Sequence, residues 1–265
     1  MNVPVYSVAG AQKGTIQLTP KLTCHVRVDV IRRAVLAERS QLRQPYGADP
    51  KAGQRTSAHY HGRRGIRYSM MNRETARLPR IHGRVGHMAM TARFVPQATK
   101  GRKAHPPVPR SFKEKINKKE RRFALCAAFS ASTKKEIVLK RGHKADAVKS
   151  FPLILEDGFA ALKTVKETKK LLVLLGLQDE LARVAVTKTR AGKGKIRGRR
   201  KITRKGPIVV VHEDKGIGRG VANLAGFDIV NVHEIRVEDL APGGDAGRMA
   251  IFTESAIKEL ERIAH

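Results

Sequence analysis

Residues 51–80 read KAGQRTSAHYHGRRGIRYSMMNRETARLPR and form the centre of a run, Gln44 to Arg110, crowded with arginine, histidine and glycine. Lys51, Arg55, Arg63, Arg64, Arg67, Arg73, Arg77, Arg80, Arg84, Arg93, Lys100, Arg102, Lys103 and Arg110 are opposed within it only by Asp49 and Glu74. Ordering a chain costs about 1–2 kcal/mol of backbone entropy per residue. Large apolar side chains such as Ile66, Met70, Ile81 and Phe94 return roughly 1.5–3 kcal/mol each on burial, and they are too thinly spread here to match that cost. The run is therefore expected to be a non-globular arm, disordered until a partner supplies contacts. Residues 1–43 and 111–265 are left as a globular body, with the arm, 44–110, inserted between two helical segments.

The charge names the class of partner. The chain carries a formal net charge of +31; an arginine can hold a phosphate bidentately, and counterions released from a nucleic acid favour association. Three of the four tyrosines, Tyr46, Tyr60 and Tyr68, lie in the arm. A solvated basic tail has no use for aromatics, whereas unpaired bases stack on them, which favours folded RNA over duplex DNA. A second cluster, Lys188, Arg190, Lys193, Lys195, Arg197, Arg199, Arg200, Lys201, Arg204 and Lys205, contains no acid and is punctuated by Gly192, Gly194 and Gly198. As a loop on the body it offers another surface for phosphates.

Without the arm about 200 residues remain, enough for one domain with a sizeable core. Cys24 and Cys126 are the only cysteines, so neither a disulfide framework nor a zinc cluster is expected, and a reducing, intracellular setting fits best. Met1 to Gln17 lacks an apolar stretch of signal-peptide length, and no segment approaches ~18 uninterrupted apolar residues, so no membrane partner is expected.

Along the body, Asp29 reads as the cap of a helix with Ile31, Val35 and Leu42 on one face, ending near Arg43. Lys115–Ser132 carries Ile116, Phe123 and Ala127 at helical spacing. Short β-prone runs then alternate with helical ones: Ile137–Leu139, Phe151–Leu155, a helix around Leu162–Leu175 stopped by Gly176, Ile208–Val211, Asp228–Val232, and Met249–Thr253 leading into a helix with Ile257 and Leu260. The alternation predicts an α/β fold with a largely parallel sheet covered on both faces. Strand order is not legible from it.

Several patterns bear on catalysis. Glu156-Asp157 and Glu213-Asp214 follow predicted strands, where open α/β sheets place ligands, and could serve a two-metal nuclease. The stronger expectation is that they cap the following helices, because no histidine or lysine stands as a clear base. Gly216, Gly218 and Gly220 fall short of a dinucleotide turn, since Val221 occupies the place of the third glycine. Gly194-Lys195 is followed by Ile196 where a phosphate-binding loop needs Ser or Thr. His59, His61, His82, His87 and His105 lack thiolates or a convergent scaffold and are expected to meet phosphates or bases rather than a metal. Ser130 and Ser132 have no nucleophile elbow around them. No enzyme activity, metal or cofactor is expected.

Longer motifs are specific. Gln54-Arg55-Thr56-Ser57-Ala58, Ala76-Arg77-Leu78-Pro79-Arg80-Ile81, Arg93-Phe94-Val95-Pro96, Arg190-Ala191-Gly192-Lys193-Gly194-Lys195, and Leu240-Ala241-Pro242-Gly243-Gly244-Asp245-Ala246-Gly247-Arg248 followed by Ile251-Phe252-Thr253-Glu254-Ser255-Ala256 resemble the large-subunit ribosomal protein L-four family in its archaeal and eukaryotic form. The chain stops at His265 without the long basic extension of eukaryotic members, which makes it look archaeal. The resemblance implies a three-layer α/β body and an arm threading through rRNA toward the peptide exit tunnel of the large subunit, in the cytoplasm. It also implies neighbouring large-subunit proteins and the nascent polypeptide as partners, with the chain present as a single copy rather than a homo-oligomer.

The rRNA-binding residues expected on these grounds are Gln54, Arg55, Thr56, Ser57, Tyr60, Arg63, Arg64, Arg67, Tyr68, Arg73, Arg77, Arg93, Phe94, Lys100, Arg102, Lys103 and Arg110 in the arm, with Arg190, Lys193, Lys195, Arg197, Arg199, Arg200 and Arg204 on the body. Carried over from the family, the tunnel-facing tip falls at Arg80, Ile81, His82, Gly83 and Arg84. It has His82-Gly83-Arg84-Val85-Gly86 where eukaryotic relatives carry consecutive glycines.

Overall fold

Strands of continuous apolar sequence are the product of burial on two faces, and Ile208–Val211 and Ala250–Thr253 are buried at every position. They stand at the centre of a six-stranded sheet in a computed structural model that describes residues 1–83 and 86–263. Contacts divide the chain into two units, Met1–Leu42 with Lys113–His265, and Arg43–Phe112. Composition draws its divisions at 43/44 and 110/111, one residue later and two residues earlier.

The first unit runs β1 (Asn2–Tyr6), β2 (Gln12–Gln17), α1 (Val28–Gln41), α2 (Lys118–Thr133), α3 (Lys135–Lys140), β3 (Leu153–Leu155), α4 (Val165–Leu174), α5 (Gln178–Ala185), β4 (Lys188–Thr189), β5 (Lys201–Ile202), β6 (Ile208–Val211), α6 (Ile217–Ala222), β7 (Asp228–Asn231), α7 (Val237–Leu240), β8 (Ala250–Thr253) and α8 (Glu254–Ile263). Sheet order is β2-β1-β3-β8-β6-β7, parallel throughout except for the antiparallel edge strand β2. Alternate residues of each central strand enter different cores. Ile154, Ile208, Val210 and Phe252 pack with Ile31, Val35, Phe129 and Ile257 of α1, α2 and α8. Leu153, Leu155, Val209, Val211 and Ile251 pack with Val138, Leu171, Leu172, Ile217 and Val221 of α3, α4 and α6. Helices on both sides of one sheet make three layers.

Local expectations need correction in four places. Asp29 lies inside the first turn of α1 and pairs with Arg27, which occupies the cap position, while Leu42 is 70% exposed. Phe123 of α2 is exposed, and the buried stripe is Ala124, Ala127, Ala128 and Ala131. Ile137–Leu139 is helical, within α3. The hairpin β1–β2 and the helices α5, α6 and α7 had no forecast. Gly176 does end α4, at φ +85°, where the Ala147 backbone would crowd any Cβ.

The second unit is built from turns. Among its described residues the only helix is a 3-10 turn at Gly86–Met88, and the only β pairing consists of isolated bridges, His59 with Arg80 and Arg80 with Ala92. Its two ends are fastened together: Tyr46 stacks on Phe112 at 5.4 Å, Arg43 lies 4.2 Å over the same ring, and Ala48 N–H donates to Pro107. Met70 and Ile81 are the only fully buried large apolar side chains among its described residues.

Candidate nucleic-acid interface

In the arm the expected contacts are largely open to solvent: Gln54, Arg55, Ser57, Tyr60, Arg63, Arg64, Arg67, Arg73, Arg77, Phe94, Lys100, Lys103 and Arg110 are exposed, while Thr56, Tyr68, Arg93 and Arg102 are half-buried. Arg63, Arg64, Arg73 and Arg77 form no ion pair among the described residues; Arg55 meets Asp49 at 2.9 Å. Arg93 is turned inward, donating to the carbonyl of Thr99 at 2.8 Å. Tyr68, Asn72, Met90, Phe94 and Lys100 hold positive φ without being glycine. Such conformations cost of order 1–3 kcal/mol each and persist where surroundings enforce them. An arm so poor in buried apolar groups lacks that enforcement from within.

The tip residues behave unevenly. Arg80 donates to the carbonyls of Met90 (2.7 Å) and Ala76 (3.0 Å), with its buried Nε left unpartnered. Ile81 is buried, His82 half-buried, and Gly83 exposed at φ +91°. Arg84 lies outside the described residues.

On the body, the second basic cluster is more ordered than a loop. β4 and β5 pair antiparallel, Arg190 N–H donates to Arg200, and the Arg190 side chain donates to the Arg199 carbonyl. The hairpin between them is exposed almost throughout, with Ile196 at 88%. Lys193, Lys195, Arg197, Arg199, Arg200 and Arg204 thus stand on a small β-ribbon, with Arg190 half-buried at its base.

A neighbouring cleft of about 700 Å³ adds cations that are scattered in sequence. Lys140, Arg141, Arg183, Arg204 and Lys205 line it beside Asp245. Arg141 donates to the Pro242 carbonyl, but its buried Nη1 has no partner, and burial draws the guanidinium below its ordinary range, with the charges of Arg248 and Arg183 adding. Lys140, Arg141 and Arg183 carry no sequence signal of convergence on the Arg204-Lys205 end of the basic run; only the fold brings them together.

Glu156, Asp157 and Asp214 of the acidic pairs are engaged as caps and clamps. Asp157 accepts from Ser255 N–H and Oγ at the start of α8. Asp214 accepts from Gly216 and Gly218 N–H at the start of α6, so the glycine turn binds its own carboxylate. Glu156 accepts from Val8 N–H and Lys13, which hold its carboxyl below the usual range. Gly220 is required by packing: a Cβ there would come within 2.7 Å of Thr168 Oγ1 on α4.

The expectation that the histidines find no convergent scaffold fails for three of them. His59, His61 and His82 bring their ligand atoms within 4.8 Å of one another. The sequence signal available, His-x-His, was too short to show that residue 82 would join.

With these surfaces described, comparison with known proteins becomes informative. A model of the ribosomal protein L4/L1 family matches residues 16–263, which includes both units. The chain belongs to that family. It is similar to large ribosomal subunit protein uL4 of Methanosphaera stadtmanae, at 43% identity over 97% of this chain and 95% of the relative. It is also similar to that of Nanoarchaeum equitans, at 43% over 98% and 97%, and of Methanopyrus kandleri, at 40% over 98% of both chains. The family match spans the sequence of residues 44–110 as well as most of the body.

Proposed function

We propose that this chain is a structural, non-catalytic constituent of the large ribosomal subunit in the cytoplasm, and that it binds rRNA through two surfaces. The arm threads between rRNA segments, its exposed arginines neutralising phosphates while Tyr60, Tyr68 and Phe94 stack on bases or fill gaps. The β4–β5 ribbon and its adjoining basic cleft hold the body to rRNA from outside. The arm tip, Arg80 to Arg84, forms part of the peptide exit tunnel wall and meets the nascent chain, and neighbouring large-subunit proteins flank the body.

One observation carries this reading beyond the family's name: the arm combines a dense, uncompensated set of exposed cations with almost no buried apolar side chains. A polyanion is the partner that supplies both missing quantities, opposing charge and enclosing surface. In isolation the arm is therefore open and its amides exchange freely, while those of the body are protected.

Co-sedimentation with large subunits tests the reading. The chain is expected to travel with them and to leave only in high salt or denaturant. A chain that remains free, or binds duplex DNA as tightly as rRNA at matched salt, overturns it.

A further inference from the structure

The three histidines that converge in the arm are unlike the surrounding cations. His59 and His61 lie two residues apart, and His59 sits in an isolated β-bridge. The backbone of His59 is paired with Arg80 in both directions, which brings His82 alongside, and Met70 N–H fastens the carbonyl of His61. Ring centroids stand 4.3, 4.3 and 4.6 Å apart, and Tyr68 lies 5.0 Å from the His82 ring.

Their hydrogen bonds decide which atoms remain. His59 Nδ1 is 3.1 Å from the Ser57 carbonyl, and His82 Nε2 is 3.1 Å from the His59 carbonyl. A carbonyl only accepts, so each of those nitrogens carries the proton. In the neutral rings the opposite nitrogens, His59 Nε2 and His82 Nδ1, carry the lone pair, and His82 Nδ1 is buried without a hydrogen-bond partner among the described residues. Converging lone pairs repel phosphate. They attract a cation.

We propose that His59, His61 and His82 form a three-imidazole site for a zinc-class divalent cation, with a fourth position open to water or to an rRNA phosphate oxygen. Imidazole is a preferred ligand of such ions, and an outer N–H held by a backbone carbonyl is the usual support of a metal-bound histidine. Tetrahedral Zn–N bonds of ~2.0–2.1 Å place nitrogens about 3.3 Å apart, so the rings need only a small inward rotation. Among the described residues no other histidine, cysteine or carboxylate joins the group, which keeps the fourth position open. Such a site would cross-link residues 59–61 to residue 82 and brace the approach to the arm tip. The inference does not depend on which nucleic acid the arm binds.

The test uses the full-length chain, free and bound to rRNA, stripped with chelator and then titrated with Zn²⁺, or with Co²⁺ as a spectroscopic probe. One equivalent is expected to bind, with visible cobalt bands of tetrahedral type, and affinity should fall as pH drops and the imidazoles protonate. His59→Ala, His61→Ala and His82→Ala should each weaken binding by more than the ~10–100-fold that loss of an outer-shell partner costs. Val108→Ala, at an exposed arm residue outside both the histidine cluster and the rRNA-binding set, should leave it unchanged and controls for general disruption of the arm. Absence of stoichiometric metal in both the free and rRNA-bound forms, or metal retained by the triple histidine variant, overturns the proposal.

Discussion

The body and the arm use the same residue, arginine, in opposite ways. Arg248 is 1% exposed, yet its guanidinium donates to the Gly206 carbonyl (2.8 Å), the Asp239 carbonyl (2.9 Å) and Asp228 (2.5 Å). Burial draws it below its ordinary range, and Asp228 opposes that shift. Arg63, Arg64, Arg73 and Arg77 of the arm are exposed and have no ion-pair partner among the described residues. The body can satisfy a charge such as that of Arg248 internally because two apolar cores support the cost of burying it. The arm has no such support, and its charges remain available to another molecule.

The sharpest way to break this contrast is to delete Ala52–Lys103. Affinity for rRNA should fall by orders of magnitude, and the slope of log affinity against log salt should flatten by about 0.7–0.9 for each phosphate contact removed. Replacing Lys193, Lys195, Arg197 and Arg199 by alanine should flatten it less. An unchanged slope after the deletion would move the main contacts to the body and reverse the assignment of roles.

Core truncation sharpens the other half. Phe252 is fully buried and meets Phe129 edge-on at 5.2 Å. Phe252→Ala should destabilise the body by about 3–5 kcal/mol in urea unfolding. Met70→Ala, at the arm's best-buried side chain, should leave body unfolding unmoved in the free chain. A comparable loss from both substitutions would mean that the two units fold as one.

The difference between the units also explains what could be read in advance. β6 and β8 were legible because burial on two faces writes an unbroken apolar run, and α8 because Ile257 and Leu260 recur on one face. β2 was not, since QKGTIQ is an edge strand with most side chains in water and no pattern to preserve. α3 was misread because Ile137, Val138 and Leu139 are β-branched or apolar in a segment too short for helical periodicity to appear. The arm's exposed cations were visible as composition. The basic cleft and the histidine cluster were not, because Arg141 with Arg183, and His59 with His82, are neighbours only through tertiary structure.

A pH titration examines the internal charge pairing of the body. Glu180 is fully buried; burial pushes its carboxyl up, but the Arg183 guanidinium, His143 and the Lys144 N–H outweigh that and bring it from 4.5 to about 2. Met249 N–H donates to His143 Nε2, so the ring proton sits on Nδ1, facing Glu180. A depressed carboxyl contributes stability that is fully present above its unfolded value and lost as pH falls through its folded one. At about 1.4 kcal/mol per pKa unit, about 3 kcal/mol should be lost between pH 4.5 and 2. Glu180→Gln should be less stable at neutral pH and lack this acid limb. An unchanged acid limb in that variant would place the titrating group elsewhere.

The smallest stability effect is expected at the tip, where the contrast between the units is most easily blurred. Arg80, like Arg93, is held by two backbone carbonyls, here those of Ala76 and Met90, so it behaves locally as a body arginine does. If that were its whole role, Arg80→Ala would change only the arm's local order. Its orphaned Nε, however, marks a buried donor for which the described residues provide no acceptor. An rRNA or nascent-chain oxygen can supply that acceptor in the assembled particle. Arg80→Ala should therefore move the free body's unfolding by no more than about 0.5 kcal/mol, while slowing incorporation into large subunits or altering passage of nascent chains. A large shift in body melting would show that the two units share stability. An unaltered assembly rate together with unaltered translation would reduce Arg80 to a local clamp and detach the tunnel role from this residue.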